Sequence, residues 1–226
     1  MTLIGDASLL RLLQLTSPAL PLGAFAYSQG IEYAAEAAWV KDEATAVEWI
    51  QGLLEGPIGH LDLPVLSRMH AAWLANDEAT VRDWSAVLLA FRESAALEQE
   101  DLHLGHSLAR VLVGHGIDRA QAFTRSEDAT FAALHALAAV TWAIPPRSAL
   151  LGYGFAWAEA QSGALSRLLP LGQLAIQRIL SRLVEALPAA VEAALLVSDE
   201  DIGALAPSHA MASALHETQY CRLFRS

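Results

Sequence analysis

Ile176-Gln-Arg-Ile-Leu-Ser-Arg-Leu-Val-Glu-Ala-Leu187 is the stretch whose spacing sets the fold class. Ile176, Ile179, Leu180, Leu183, Val184 and Leu187 recur at three- and four-residue intervals, while Arg178, Arg182 and Glu185 fall off that stripe. This is the period of a helix with one buried face. Leu169-Pro-Leu-Gly-Gln173 makes a turn before it, and Pro188 is expected to kink or end it.

The same punctuation places helices along the rest of the chain. One is predicted over about Ala7–Leu15, closed by Ser17-Pro18-Ala-Leu-Pro21-Leu-Gly23, and a second over about Phe25–Ala38. Asp42 reads as the N-cap of a third, with Val47, Ile50 and Leu54 on one face and Gly56-Pro57 as its breaker. A fourth runs from Asp62 to Leu74 with Pro64 in its first turn, and a fifth starts at Asn76-Asp77. A long sixth covers Glu93–Val113, closed by Gly114-His115-Gly116. Ser126-Glu-Asp128 reads as the start of an uncharged, buried helix over Ala129–Ile144. Another follows Pro145-Pro146 to about Gln161, and a last covers about Pro207–His216. No alternating strand pattern, Asn-Gly or Asp-Gly hairpin signal, or repeat is present. The expectation is an all-α, single-domain bundle of many helices over residues 1–226.

Composition narrows the function. Hydrophobic residues make up 54% of the 226, enough for one sizeable core. Fourteen basic residues against 25 acidic give a net charge of −11. Such a chain has no basic excess to displace counterions, so nucleic acid and anionic membrane surfaces are not expected partners. Lys41 is the only lysine, and the remaining basic residues are arginines suited to bidentate pairing with carboxylates. One cysteine, Cys221, excludes a disulfide within the chain and a cysteine zinc cluster. The start, Met1-Thr-Leu-Ile-Gly-Asp6, lacks the basic and apolar run of a signal peptide. Pro18, Pro21 and Gly23 interrupt the uncharged Leu12–Ile31 stretch, so a cytoplasmic location is expected.

Candidate chemistry is sparse. There is no Gly-x-Gly-x-x-Gly, phosphate-binding loop or His-Glu-x-x-His. Ala26-Tyr-Ser28-Gln-Gly30 is a degenerate nucleophile elbow without the strand that such an elbow needs. Glu100, His103 and His106 share a helix face at three-residue spacing and are weak candidates for a divalent metal. The two ends of the chain carry a different signal. Pro18–Gly30 is an apolar turn holding Phe25 and Tyr27; residues 217–226 combine Tyr220, Leu223 and Phe224 with Arg222 and Arg225. Aromatics with arginine are the residue types that anchor interfaces, and such a tail reads as either a frayed end or a segment ordered on docking, with composition slightly favouring docking.

Four segments then resemble the urease accessory protein UreF family. They are Leu13–Glu32, Phe91-Arg-Glu-Ser94 with Leu104-Gly105, Leu169-Pro-Leu-Gly-Gln173 with Gln177-Arg-Ile-Leu180, and His216-Glu-Thr-Gln-Tyr-Cys-Arg-Leu-Phe-Arg-Ser226. The resemblance implies a homodimeric helical protein with no catalysis and no cofactor of its own. It implies that the chain joins UreD (also called UreH) and the GTPase UreG on apo-urease, with nickel handled by the complex. By position it assigns partner binding to Phe25, Tyr27, Ser28, Gln29, Glu32, Tyr220, Arg222, Leu223, Phe224 and Arg225, with Glu32 a control residue for GTP hydrolysis or metal gating. Ala26 stands where many relatives have a small hydroxyl residue, and Ala95 and Glu98 where relatives tend to be basic. The alternative is a nickel-binding chaperone using His103 and His106.

Overall fold

The computed structural model describes residues 4–226. The N-terminal reading at Met1–Leu3 lies outside the described residues. Ten α-helices follow one another: α1 (Asp6–Leu15), α2 (Ile31–Glu36), α3 (Glu43–Leu53), α4 (Leu63–Leu74), α5 (Glu78–Ala90), α6 (Ala95–Gly114), α7 (Phe131–Thr141), α8 (Pro146–Leu168), α9 (Gln173–Leu196) and α10 (Pro207–Glu217). The described residues contain no strand, as the missing alternation requires.

Local chemistry explains most boundaries. Asp42 caps α3 by accepting from the Thr45 N–H at 2.9 Å, and Thr45 returns a bond to the Asp42 N–H at 3.1 Å. Asp77 and Ser94 cap α5 and α6 without the return bond, their side chains accepting from the Thr80 and Leu97 N–H groups. Gly116 closes α6 at φ +79°.

Four expectations are corrected. The helix expected over Phe25–Ala38 is a short 3₁₀ turn (Ala24–Ala26), an irregular link, and then α2. Gln29 (φ +53°) and Gly30 (φ +77°) break it in left-handed conformations, and the Ser28 N–H is spent outside the helix. Gly56-Pro57 does not stop the chain's helical path. A wide π-helical segment (Leu54–Asp62) carries it into α4, with Gly56 taking the non-helical angles beside a proline that lacks a donor. Thr130, not Ser126-Glu-Asp128, caps α7, because Ser126 and Asp128 bind the Arg82 guanidinium instead. Helices α8 and α9 outrun their expected ends; α9 passes through Pro188 to Leu196, and Val184 faces solvent rather than the core.

Among the described residues two large apolar clusters, with a small third around Ala139, Ile144 and Ala149, hold the bundle. The larger joins α4, α6 and α7 with parts of α1, α5, α8 and α9. Helix α7 is its centre: Ala132 to Ala139 are all buried, as expected of a buried uncharged helix. Its alanines permit close approach. At Gly105 of α6 a Cβ would lie 1.7 Å from the Ala129 carbonyl oxygen, so only glycine fits there. The second cluster joins α2, α3, α8, α9 and α10, and includes Phe224 from the C-terminal segment.

Arginine pairs with carboxylates in the interior as its chemistry suggests. Arg92 reaches Asp62 at 2.8 Å and Asp101 at 2.7 Å, and the Tyr153 hydroxyl donates to Asp62 at 2.9 Å. This buried group links the start of α6 to α4 and α8. Deleting one member would strand the others, at about 3–5 kcal/mol.

Candidate functional site

The opening turn and the end of the chain meet at one place. Helix α10 packs on α2, and the approach is so close that a Cβ on Gly30 would sit 2.8 Å from the Ser213 nitrogen. From α10 the chain turns back along α2. There the Glu32 carboxylate, only 7% exposed, accepts from the Leu223 N–H at 2.6 Å and the Phe224 N–H at 2.9 Å. His216 Nε2 lies 2.8 Å from the same carboxylate. A carboxylate accepting successive main-chain donors is a strong, charge-assisted anchor.

The pairing continues past Glu32. The Arg225 N–H donates to the Ala26 carbonyl at 2.8 Å, and the Ser28 N–H donates to the Ser226 main-chain oxygen at 2.9 Å. The Ser28 hydroxyl donates to that same oxygen. The Ser226 hydroxyl donates to Glu100 Oε2 at 2.7 Å. Gln29 Nε2 donates to Glu100 Oε1 at 2.7 Å, while Gln29 Oε1 accepts from Trp157 and Gln161 at 3.0 Å each. Burial away from water pushes the Glu100 carboxyl up to about 7, against the opposing pull of its two hydrogen bonds. Phe224 is buried, with the Arg167 guanidinium 4.4 Å from its ring centre.

The residues assigned to partner binding therefore divide into two sets. Tyr27, Ser28, Gln29, Glu32 and Phe224 form the anchor beneath the tail. Phe25, Tyr220, Arg222, Leu223 and Arg225 face outward; Tyr220 is fully exposed and Phe25 77% exposed. Ser28 holds the end of the chain with both its N–H and its hydroxyl, which makes it an anchor rather than an exposed nucleophile. Glu32 is buried and both its oxygens are committed, between them to three partners.

The three-residue ladder on α6 does not converge. Glu100 turns inward to Ser226, His106 Nε2 lies 2.8 Å from the Ser126 carbonyl, and His103 packs 5.8 Å from the Tyr27 ring. Burial lowers the proton affinity of His103, and the nearby cations Arg225 and Arg110 lower it further. Among the described residues no group of three or more His, Cys, Asp or Glu side chains could hold a metal ion.

Comparison with known proteins bears on the same ground. A family model described as UreF matches residues 40–184. A urease accessory protein UreF of Alkalilimnicola ehrlichii is 44% identical over 216 residues, covering 96% of this chain and 95% of its own. One from Marinobacter nauticus is 45% identical over 222 residues, covering 98% and 96%. The chain belongs to the UreF family. Another relative, from Hahella chejuensis, is 44% identical over 219 residues, 97% of this chain and 98% of its own. The likeness thus includes both the opening turn and the tail.

For this UreF-family chain, sequence reading missed the groups beneath the tail: Glu100 in its real role, Trp157, Gln161, Arg167, His216 and Ser226. The available signal was weak. Gln161 and Glu100 are polar residues at positions where helical spacing calls for apolar ones, and buried polar groups of that kind need partners.

Proposed function

We propose that this chain is a non-catalytic scaffold of urease maturation that bridges UreD (UreH) and the GTPase UreG on apo-urease and assists GTP-dependent nickel insertion. Its partner-binding surface is the outward face of the tail and opening turn. The observation that carries this reading is the division just described: a densely hydrogen-bonded anchor holds the main chain of residues 223–226, while Tyr220, Arg222, Leu223, Arg225 and Phe25 stand in solvent. Exposed aromatics beside arginines, on a rigid base, are what hot spots consist of. Ordering of the tail on docking is then the settling of residues 217–222 and the outward side chains onto a partner. The same reading makes the chain a cytoplasmic homodimer with no resident cofactor, nickel being cargo of the assembly.

Glu32 acts in this scheme through the tail. It contributes to any control over GTP hydrolysis by holding residues 223 and 224 in place rather than by touching nucleotide or metal. The test uses outward side chains whose loss leaves the anchor alone. Tyr220→Ala with Leu223→Ala is expected to weaken capture of UreD at least tenfold, since each buried anchor is worth ~2 kcal/mol. Undiminished capture would refute the placement.

A further inference from the structure

A cavity lies beside the anchor, between the first turns of α6 and the tail. It measures about 460 Å³, and its walls include Tyr27, Gln99, His103, Arg222 and Arg225. Three features give it a positive character within a chain of net charge −11. First, neither Arg222 nor Arg225 has a carboxylate within ion-pairing distance among the described residues. Second, the one carboxylate in its walls, Glu217, is taken up at the start of α6, where it accepts from the Ala96 N–H at 3.1 Å, and forms no ion pair with either arginine. Third, His103 resists protonation there, burial being the first cause and the Arg225 charge the next. Two arginines and one carboxylate line the cleft, which leaves it short of negative charge.

We propose that this cleft is an oxyanion site, taking one carboxylate or phosphate group between Arg222 and Arg225. The planar fork of each guanidinium suits either group through paired N–H donors. The anion comes either from solution or from an acidic side chain of a partner. The same charges repel a divalent cation, so the histidine that looked like a metal ligand in sequence sits in an anion's surroundings. The site does not rest on the bridging reading, because a free probe can occupy it with no partner present.

The experiment titrates inorganic phosphate, and separately an acetylated Glu-rich hexapeptide, into the full chain at constant ionic strength, following amide shifts of residues 95–99 and 222–226. A saturable one-to-one response is expected, weakened at least tenfold by Arg225→Ala and only partly by Arg225→Lys. Arg225 anchors the tail through its main-chain N–H, so both variants keep the fold. Saturation by phosphate alone identifies a free anion as the occupant. Tighter saturation by the peptide identifies a partner's side chain. Non-saturating responses to both probes, or saturation unchanged by Arg225→Ala, would overturn the proposal, as would stoichiometric nickel binding at His103.

Discussion

Replacing Glu32 by alanine tests the anchor at its centre. The substitution removes the acceptor for the Leu223 and Phe224 N–H groups and the partner of His216 Nε2. His216 is fully buried, and its Nδ1 has no partner, so the ring would lose its one hydrogen bond. Hydrogen bonds to a charged group contribute ~1.5–3 kcal/mol each, but removing one acceptor for three clustered donors is not additive, and water can reach the half-buried Leu223 amide. A total of roughly 3–5 kcal/mol follows. Part of that is local, because the tail can detach while α1–α9 stay packed. Detachment also withdraws Phe224 from the second apolar cluster. The assay is amide hydrogen exchange with a thermal melt. Glu32→Ala is expected to lose protection at residues 223–225 by two or more orders of magnitude and to melt several degrees lower, with helix content unchanged. Glu32→Gln should fall between, since its amide keeps one acceptor oxygen but turns donors toward donors. Unchanged protection at Leu223 and Phe224 in Glu32→Ala would show that the carboxylate does not hold the tail.

Glu100 gives a pH signature. Its carboxyl is raised from the ordinary value near 4.5 to about 7 in the folded chain, so the native state binds a proton that the unfolded state has released. The stability it contributes is complete below pH 4.5 and is lost as pH rises through 7, on the order of 3 kcal/mol. Glu100→Gln should therefore gain on the parent as pH rises from 5 to 8. His135 and His209, held down to about 4 by burial, slope the opposite way, but they cancel in the difference between the two proteins. A pH-independent difference in denaturation midpoints would contradict this account. At Gly105, alanine would drive a methyl into the Ala129 carbonyl, separating α6 from α7; a loss above ~3 kcal/mol is expected in urea denaturation, and a loss below 1 would show that the helices can slide apart cheaply.

The helices were legible because this fold is built from local signals. Caps at Asp42 and Asp77, the proline-glycine turns and the apolar stripe of α9 all act within a few residues. The misread segments are those whose backbone groups are satisfied from afar. Residues 27–30 look helical until the end of the chain, some 200 positions later, takes the Ser28 N–H. Ser126 and Asp128 look like a helix start until Arg82 takes them. The site shows the same split. Aromatic and arginine content marked both ends as sticky, yet nothing local says that the ends bind each other, or that Glu32 and Phe224 are anchors while Tyr220 and Arg222 are free. The Glu100–His103–His106 spacing is real on the helix. It failed as a metal set because the tail claims Glu100 and Ser126 claims His106.

The most direct test of the scaffold account is size-exclusion chromatography of the purified chain mixed with UreD and UreG. The account predicts that all three co-elute, and that the Tyr220→Ala, Leu223→Ala chain elutes apart from UreD with its helical spectrum intact. Separate elution of the unaltered chain from both proteins would contradict it.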